Sequence, residues 1–256
     1  MSASSWSLPE DEQENALRVA RALEPLLAQN KGAPVFLVDG DRTLSPEDTS
    51  RRFLSLAGLD PMIIKRRFQR DGYVFGAFRF HAEVHVSLGE AVFSELAPKV
   101  AADALLHIGA DEFLRAAIRT GQVVIVSAGI PRIWRCILDR LALSEIAVVG
   151  GLDPRDPFVF GRSEKGQVAR AFRGCARCVV ALGDSDVDTE MMQLADTAVV
   201  VMNHHRNSDL LPSLRAHTSL WQVVPDGEPH EGVARLGFPD VARLPQWPPQ
   251  EEFACR

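Results

Sequence analysis

Five short apolar runs along the chain are separated by segments whose apolar positions recur at helical spacing. The runs lie in VFLV (35–38), QVVIVSAG (122–129), AVVGGL (147–152), RCVVALGD (177–184) and TAVVV (197–201), which closes the series. Helical patterns follow at 131–143, 163–172 and 187–195. Because continuous valine-rich strands separated by helices indicate a parallel sheet covered on both faces, the pattern predicts an α/β fold with a doubly wound, Rossmann-like parallel-sheet core.

Polar residues at the ends of the helical patterns predict where helices begin. Residues 7–30 form one amphipathic pattern, with Ser7 as the expected cap and Glu10 completing a capping box. Pro131 opens the helix at 131–143, and Ser163 is the expected cap of the helix at 163–172.

Residues 45–106 interrupt the alternation of strands and helices. They contain helical stretches such as PMIIKRRFQR and no convincing buried strand. Because this segment is too long for a simple loop, we expect a helical cap subdomain inserted after the first strand. The expected division is an N-terminal helix extension (1–32), an α/β core (33–47 and 107–224), the helical cap insert (48–106) and a proline-rich tail that wraps the surface (225–256).

The composition excludes several classes of function. The 256 residues carry a net charge of −6, which argues against a general nucleic-acid or anionic-membrane surface. No apolar run reaches the ~18 residues that span a bilayer, and the N-terminus lacks the pattern of a signal peptide. Cys175 and Cys178 have metal-ligand spacing, but without a second pair we expect reduced thiols. We expect a cytoplasmic protein without nucleic-acid or membrane partners, and the sequence leaves a homodimer open.

Polar residues of a restricted kind follow the predicted strands, where ligands of open α/β sheets bind. They are Asp39 and Asp41 after the first strand, Ser127 after the second, Lys165 near a later helix start, and Asp184, Asp186 and Asp188 in GDSDVD. Carboxylate oxygens suit Mg²⁺, whereas a hydroxyl at a helix N-terminus together with a lysine suits a phosphate. The residues therefore predict a magnesium ion and a phosphoryl group in one site.

Four segments, in order, resemble the four motifs of the haloacid dehalogenase superfamily of phosphatases. They are DGDRTL (39–44), VVIVSAG (123–129), the lysine of SEKGQVARAF (163–172) and GDSDVD (183–188). The helical insert between the first two is similar to the cap of the phosphoserine-phosphatase-like branch. The resemblance covers residues 34–202 and implies a Mg²⁺-dependent phosphomonoesterase that acts on a small phosphorylated metabolite through an aspartyl phosphate.

The resemblance also implies a role for each matched residue. Asp39 would be the nucleophile and Asp41 the general acid and base. Phosphate oxygens would be held by Ser127, Ala128 and Lys165. The implied Mg²⁺ ligands are Asp39, the Asp41 backbone carbonyl and Asp184, with Asp188 supporting the metal or orienting Lys165, and with no role assigned to Asp186.

The insert is expected to select the substrate. In GYVFGAFRFHAEVH (72–85), Arg79 could reach the core site and contact the leaving group; alternatively, the aromatic residues are core and the charge is solvated. Asp48 lies where phosphoserine phosphatases place an acid that binds the substrate amine. The rest of that amino-acid-binding pattern is not found, so phosphoserine is one candidate substrate. The histidine pair at 204–205 is expected on the surface.

Two other functions use similar residues. A phosphotransferase would pass the phosphoryl group from the same aspartyl phosphate to an alcohol, and the sequence does not separate it from a hydrolase. A receiver-type phosphoacceptor signalling or regulatory module also uses acids, Ser/Thr and Lys, but in about half this length and without a helical insert. A dehalogenase is disfavoured, because that chemistry does not need Asp41.

Overall fold

A parallel sheet forms the centre of the protein in the computed structural model, which describes residues 7–155, 158–203 and 210–246. Its strands are β1 (Val35–Val38), β2 (Gln122–Val126), β3 (Ala147–Val149), β4 (Val179–Gly183), β5 (Thr197–Val201), β6 (Leu220–Val223) and β7 (Ala234–Leu236). Their order is β3-β2-β1-β4-β5-β6-β7, and every neighbouring pair is parallel. The predicted doubly wound α/β class is confirmed.

Helices cover both faces of the sheet. They are α1 (Glu12–Gln29), α2 (Thr49–Leu56), α3 (Met62–Asp71), α4 (Phe75–Val86), α5 (Gly89–Asp103), α6 (Ala110–Thr120), α7 (Pro131–Arg140), α8 (Arg162–Arg173), α9 (Thr189–Leu194), α10 (Leu210–Ser213) and α11 (Phe238–Val241), with 3₁₀ turns at Asp186–Asp188 and Leu244–Gln246. Successive strand residues face opposite layers. Phe36 and Val38 join a core with α5, α6, α7 and α11, whereas Val35 and Leu37 join one with α1, α8 and α9.

The segment between β1 and α6 is helical. It contains α2, α3, α4 and α5, and the described residues include no strand between 48 and 106. Helix α5 packs against α7 of the sheet layer, and the ring of Phe78 from α4 lies directly over Gly161, which precedes α8. The insert therefore rests on the core on both sides of the sheet's carboxyl edge.

The sheet extends beyond the strand that the sequence predicts as its last. β6 pairs with β5, and β7 lies in the segment that was expected to be a surface tail. Helix α11 also comes from this segment, and its Phe238 ring lies 6.3 Å from that of Phe113 in α6. Gln222 interrupts the apolar pattern of β6. It can be buried there because its side-chain amide forms hydrogen bonds with the backbone N–H and carbonyl of His230. Residues 247–256 of the expected tail lie outside the described residues.

Two predicted helix caps are wrong. Helix α1 begins at Glu12, and its cap is Asp11, whose carboxylate accepts a 2.8 Å hydrogen bond from the Glu14 N–H. Asp11 and Glu14 have the same spacing as Ser7 and Glu10, and a carboxylate adds a favourable interaction with the helix dipole. Helix α8 is capped at Gly161, whose N–H donates to Glu164, so Ser163 lies inside the first turn.

None of the helices in the described ranges combines the length and the apolar character needed to cross a membrane. The three described cysteines, Cys136, Cys175 and Cys178, are unbonded thiols, as expected for the CARC pair. Cys255 lies outside the described residues, as does the histidine pair at 204–205.

Candidate active site

The carboxyl ends of β1, β2 and β4 meet at one edge of the sheet. Val38 is in register with Ile125 of β2 and Leu182 of β4, so the three strands end at the same level. Asp39 continues β1, and its N–H donates to the Leu182 carbonyl over 3.0 Å. Strand register thus brings together polar residues that are more than 140 positions apart in the sequence.

Lys165 is buried between two carboxylates. Its Nζ lies 2.5 Å from Asp39 Oδ1 and 2.6 Å from Asp188 Oδ1, and its side chain is 2% exposed. Burial alone would lower the pKa of Lys165, but the charges of Asp188 and Asp39 outweigh burial and raise it. The lysine is therefore held as a cation, and it fixes one oxygen of Asp39.

Asp39 has more negatively charged neighbours than positively charged ones. Desolvation raises its pKa to about 8, repulsion from Asp188 and Asp184 adds to this effect, and Lys165 opposes it. Carboxylate oxygens of Asp39, Asp184 and Asp188 all lie within 4.8 Å of one another, and all three residues are buried. Such a cluster of oxygen donors fits a hard divalent cation, whose charge would relieve the repulsion.

Asp41 has a separate set of partners. Thr49 Oγ1 donates to Asp41 Oδ1 over 2.8 Å and Trp134 Nε1 donates to the same oxygen over 3.1 Å, while the Thr49 N–H donates to Oδ2. Desolvation and the charge of Asp48 raise the pKa of Asp41 to about 6, against the opposing effect of these hydrogen bonds. Asp41 can therefore exchange a proton near neutral pH.

The two acids of GDSDVD that were matched to the family pattern are held in different ways. Asp188 Oδ2 accepts from the N–H groups of Asp184 and Ser185 at 3.2 and 3.1 Å, and its other oxygen binds Lys165. Asp184 Oδ2 accepts from Asn203 Nδ2 over 3.0 Å and lies 3.4 Å from Arg42 Nε. Both acids belong to the cluster with Asp39, and Asp188 also holds the lysine.

The loop after β2 forms the other wall of the site. Ser127 Oγ accepts a 3.0 Å hydrogen bond from the Gly129 N–H, and Ala128 lies between them at the cavity surface. A Cβ atom on Gly129 would lie 2.8 Å from Ser50 Oγ and 3.0 Å from Asp41 Oδ2, so only glycine leaves this space open. Ser50 Oγ is buried and has no hydrogen-bond partner among the described residues.

A cavity of about 460 Å³ opens above these residues and extends under the insert. Its floor includes Asp39, Asp41, Ser127 and Lys165, and α2, α3 and α4 contribute its other walls. Phe78 and His81 reach it from α4, and burial lowers the pKa of His81, so this ring is neutral. The cavity is large enough for a phosphate ester and its alcohol.

Two further acids that the sequence singled out, Asp48 and Asp186, both lie at the cavity. Asp48 lines the cavity, but it caps α2, accepting from the Arg51 N–H, and its second oxygen binds Arg42 Nη1 at 2.9 Å. Asp186 also lines the cavity, and its carboxylate lies 4.0 Å from Arg162 Nη2.

Arg79 does not line the cavity, so the expectation that it reaches the core site is wrong. Its Nε lies 3.4 Å from Glu83 Oε1, one turn further along α4. Phe78 and His81 are three residues apart and share the inner face of the helix, and the helical rotation carries Arg79 away from that face.

Sequence reasoning missed several residues of the site: Arg42, Thr43, Thr49, Trp134 and Asn203. Thr43 Oγ1 donates to Asp39 Oδ2 over 3.0 Å. Asn203 follows the carboxyl end of β5, so the rule that identified Asp39 could have identified it. Trp134 gives no such signal, because a tryptophan in an amphipathic helix has the pattern of a core residue.

Comparisons with known proteins agree with this arrangement. The family model described as haloacid dehalogenase-like hydrolase matches residues 36–193. A Bordetella pertussis Tohama I protein of unknown function is similar in structure, with a TM-score of 0.57 and 16% identity over 76% of this chain and 98% of that one. A search of curated proteins found no significant match to this sequence.

Two further solved structures share the fold. A haloacid-dehalogenase-family hydrolase from Salmonella enterica serovar Typhi has a TM-score of 0.54 and 17% identity over 84% of this chain and 79% of its own. A phosphoserine phosphatase in its apo form has a TM-score of 0.51 and 17% identity over 74% of this chain and 92% of its own.

Proposed function

The chain belongs to the haloacid dehalogenase-like hydrolase family, and on that premise we propose that it hydrolyses phosphate monoesters through an aspartyl phosphate. One observation carries the proposal: Asp39 and Asp41 follow the same strand but have separate partners, Lys165 for one and Thr49 with Trp134 for the other. Two carboxyls in different environments can divide the roles of nucleophile and proton donor. The similarity in fold to a phosphoserine phosphatase supports phosphate esters as the substrate class.

Asp39 is the nucleophile of the proposed reaction. One carboxylate oxygen is held by Lys165 and the other accepts a hydrogen bond from Thr43, and these two contacts fix the orientation of the carboxylate at the cavity. The oxygen that accepts from Thr43 attacks phosphorus, the bond from phosphorus to the alcohol oxygen breaks, and the phosphoryl group is transferred to Asp39. Lys165, Ser127 and the backbone at Ala128 stabilise the charge on the phosphoryl oxygens.

Asp41 moves the protons. In its acid form it donates a proton to the departing alcohol oxygen, and as a carboxylate it then removes a proton from the water that attacks the aspartyl phosphate. That second attack releases inorganic phosphate and restores both Asp39 and the protonated Asp41. A pKa of about 6 suits a group that must be protonated in one step and deprotonated in the next.

Asp39, Asp184 and the Asp41 backbone carbonyl would hold Mg²⁺, since a few oxygen ligands and water are the donor set that this ion prefers. When bound, the ion neutralises negative charge on the phosphoryl oxygens and between the acids. Asp188 supports the site by holding Lys165.

The test is release of inorganic phosphate from 4-nitrophenyl phosphate, with Mg²⁺ and after chelation. We expect metal-dependent release by the wild-type protein and none by Asp39→Asn, which keeps the size of the side chain and removes the nucleophile. Asp60→Asn is the control, because Asp60 is an exposed acid of the insert that pairs with Arg66. Near-normal turnover by Asp39→Asn would overturn the assignment of the nucleophile.

A further inference from the structure

The wall of the cavity beyond the phosphoryl site indicates what kind of alcohol is esterified. The insert contributes six apolar side chains to that wall: Leu54, Pro61, Met62, Ile64, Phe68 and Phe78. At about 460 Å³ the cavity has the size of a site for a small organic ligand. A leaving group that fills it needs an apolar body, because burial against these side chains favours apolar surface.

Two cations of the insert also line the cavity. Arg51 lies in the first turn of α2 and Lys65 in α3, and both residues are exposed. Within residues 7–155, 158–203 and 210–246, neither side chain has an acidic partner. Their neighbours outside the cavity do: Arg52 pairs with Asp103, and Arg66 pairs with Asp60. The two unpaired cations are therefore the ones that face the ligand space.

Among the described residues of the insert that line the cavity, Asp48 is the acid that could bind a substrate amine. Both of its oxygens accept hydrogen bonds, one from the Arg51 N–H and the other from Arg42. Its negative charge is balanced by the Arg42 guanidinium at 2.9 Å. An ammonium group on the substrate would have to share this carboxylate with Arg42, whereas an anionic group would meet Arg51 and Lys65, which have no acidic partner among the described residues.

We propose that the substrate is a phosphate monoester whose leaving group has an apolar body and a second negative charge at its far end, bound by Arg51 and Lys65. The inference rests on the proposed phosphatase function. A carboxylate and a second phosphate present the same chemistry to these cations, since both accept charge-assisted hydrogen bonds. Amino-acid phosphates such as phosphoserine are poor substrates, because they lack the apolar body and carry an amine.

The experiment compares esters that differ only at the far end. 4-Methylphenyl phosphate, 4-(carboxymethyl)phenyl phosphate and 4-(phosphonomethyl)phenyl phosphate have similar leaving groups, and O-phosphoserine is the fourth substrate. We expect KM of at least one doubly anionic aryl ester to be about tenfold lower than that of the methyl ester, with similar kcat, which corresponds to ~1.4 kcal/mol. The better of the two identifies the second anion as a carboxylate or a phosphate.

Lys65→Met and Arg51→Gln keep much of each side chain and remove its charge. Each should raise KM for the preferred doubly anionic ester several-fold and leave the methyl ester unchanged. Arg66→Gln, a neighbour of Lys65 that pairs outside the cavity, should change neither. Equal KM values for the methyl ester and the esters with a second anionic group would overturn the inference, as would a preference for phosphoserine. So would an equal rise in KM for both kinds of ester in Lys65→Met and Arg51→Gln.

Calorimetric binding of the matched phosphonates separates this inference from the proposed function. 4-(Carboxymethyl)benzylphosphonate, 4-(phosphonomethyl)benzylphosphonate and 4-methylbenzylphosphonate cannot be hydrolysed at the P–C bond. If no ester is turned over, the phosphatase proposal fails, but tighter binding of a doubly anionic phosphonate that depends on Lys65 and Arg51 still supports the subsite. Equal affinities for all three would overturn it.

Discussion

Asp39 and Asp41 are two residues apart, and among the described residues they share no hydrogen-bond partner. Asp39 contacts Lys165 and Thr43, whereas Asp41 accepts from Thr49 and Trp134. Desolvation is the largest cause of the raised pKa at both, to about 8 and about 6, and the next contributions come from different neighbours. This difference between adjacent acids is the basis for giving them separate roles.

The role of Asp41 predicts a dependence on the leaving group. Asp41→Asn should slow hydrolysis of an alkyl phosphate by about 10²–10⁴-fold, because the alkoxide needs a proton. Attack on an aryl phosphate should suffer less, since the aryl oxide departs unaided, but loss of the base should slow the second step. Rapid-quench experiments should therefore show a burst of protein-bound phosphate with the aryl ester.

Metal affinity provides the control for Asp41→Asn, because asparagine keeps the backbone carbonyl and the shape of the side chain. Calorimetric titration with Mg²⁺ should give a similar affinity for the variant and the wild type. A large loss of affinity with equal losses on both esters would make Asp41 a metal-holding residue instead.

At the scale of residues, the sequence could predict the groups that lie at strand ends but not those that reach the site across the fold. Asp39, Ser127 and Asp184 are brought together because parallel strands end at one edge, and Lys165 lies near the start of α8, where the sequence placed it. Trp134 approaches from α7, and Gly40 leaves room for its ring. Nothing in a pattern of apolar positions distinguishes such a contact from ordinary packing.

At the scale of elements, the insert contacts the core through Arg132, which a buried ion pair within the core holds in place. Arg132 of α7 donates to both oxygens of Asp153 at 2.9 and 2.5 Å, and it also binds Glu90 at the start of α5. Asp153 is fully buried and the Arg132 side chain is 9% exposed. The two charges therefore depend on each other, and α5 depends on both.

Removing one member of this pair should be costly. Asp153→Ala leaves the Arg132 guanidinium buried without its main partner, and we expect the free energy of unfolding to fall by roughly 3 kcal/mol or more. Glu95→Ala is the matched control, because Glu95 pairs with Lys99 on the exposed face of α5, where solvent screens the pair, and it should change stability far less. Equal effects in urea denaturation would contradict the account.

Helix α4 should make the stability of the protein depend on pH. Burial lowers the pKa of His85 to about 4, and hydrogen bonding to the His81 carbonyl opposes this only in part. Because the folded pKa is below the unfolded value of about 6.5, the contribution is complete above that pH and is lost as the pH falls towards 4. The loss from His85 alone is about 3 kcal/mol.

His85→Leu tests this assignment through the slope of stability against pH. The variant should lose less unfolding free energy between pH 7 and pH 4 than the wild type, whatever its stability at pH 7. Some dependence should remain, because burial also lowers the pKa of His81. An unchanged slope would mean that His85 does not titrate as described.

Element prediction was reliable where one physical cause dominates. The strands from β1 to β5 follow from their apolar runs, and Pro131 marks the start of α7 as predicted. Helix starts were wrong where two capping residues compete at the same spacing, as with Ser7 and Asp11. The sequence leaves two alternatives for Arg79 of α4, because aromatic residues on several sides hide the helical period, and the structure contradicts the one in which it reaches the site.

At the scale of the whole molecule, the sequence predicted the α/β class and the family, and both are confirmed. It did not predict the width of the sheet. β6 contains a buried glutamine and β7 exposes two of its three residues, so neither has the apolar run of a central strand. Both lie beyond β5 in the sheet and contribute no residue to the lining of the cavity, so the site could be predicted without them.

The central claim is that Asp39 carries the phosphoryl group during turnover. The direct measurement is to quench the wild-type protein in acid while it hydrolyses a phosphate ester, digest it, and locate the phosphoryl group by mass spectrometry. The account predicts one labile phosphoryl group on the peptide that contains Asp39, its absence in Asp39→Asn, and its accumulation in Asp41→Asn. A phosphoryl group on any other residue, or undiminished labelling of Asp39→Asn, would contradict the account.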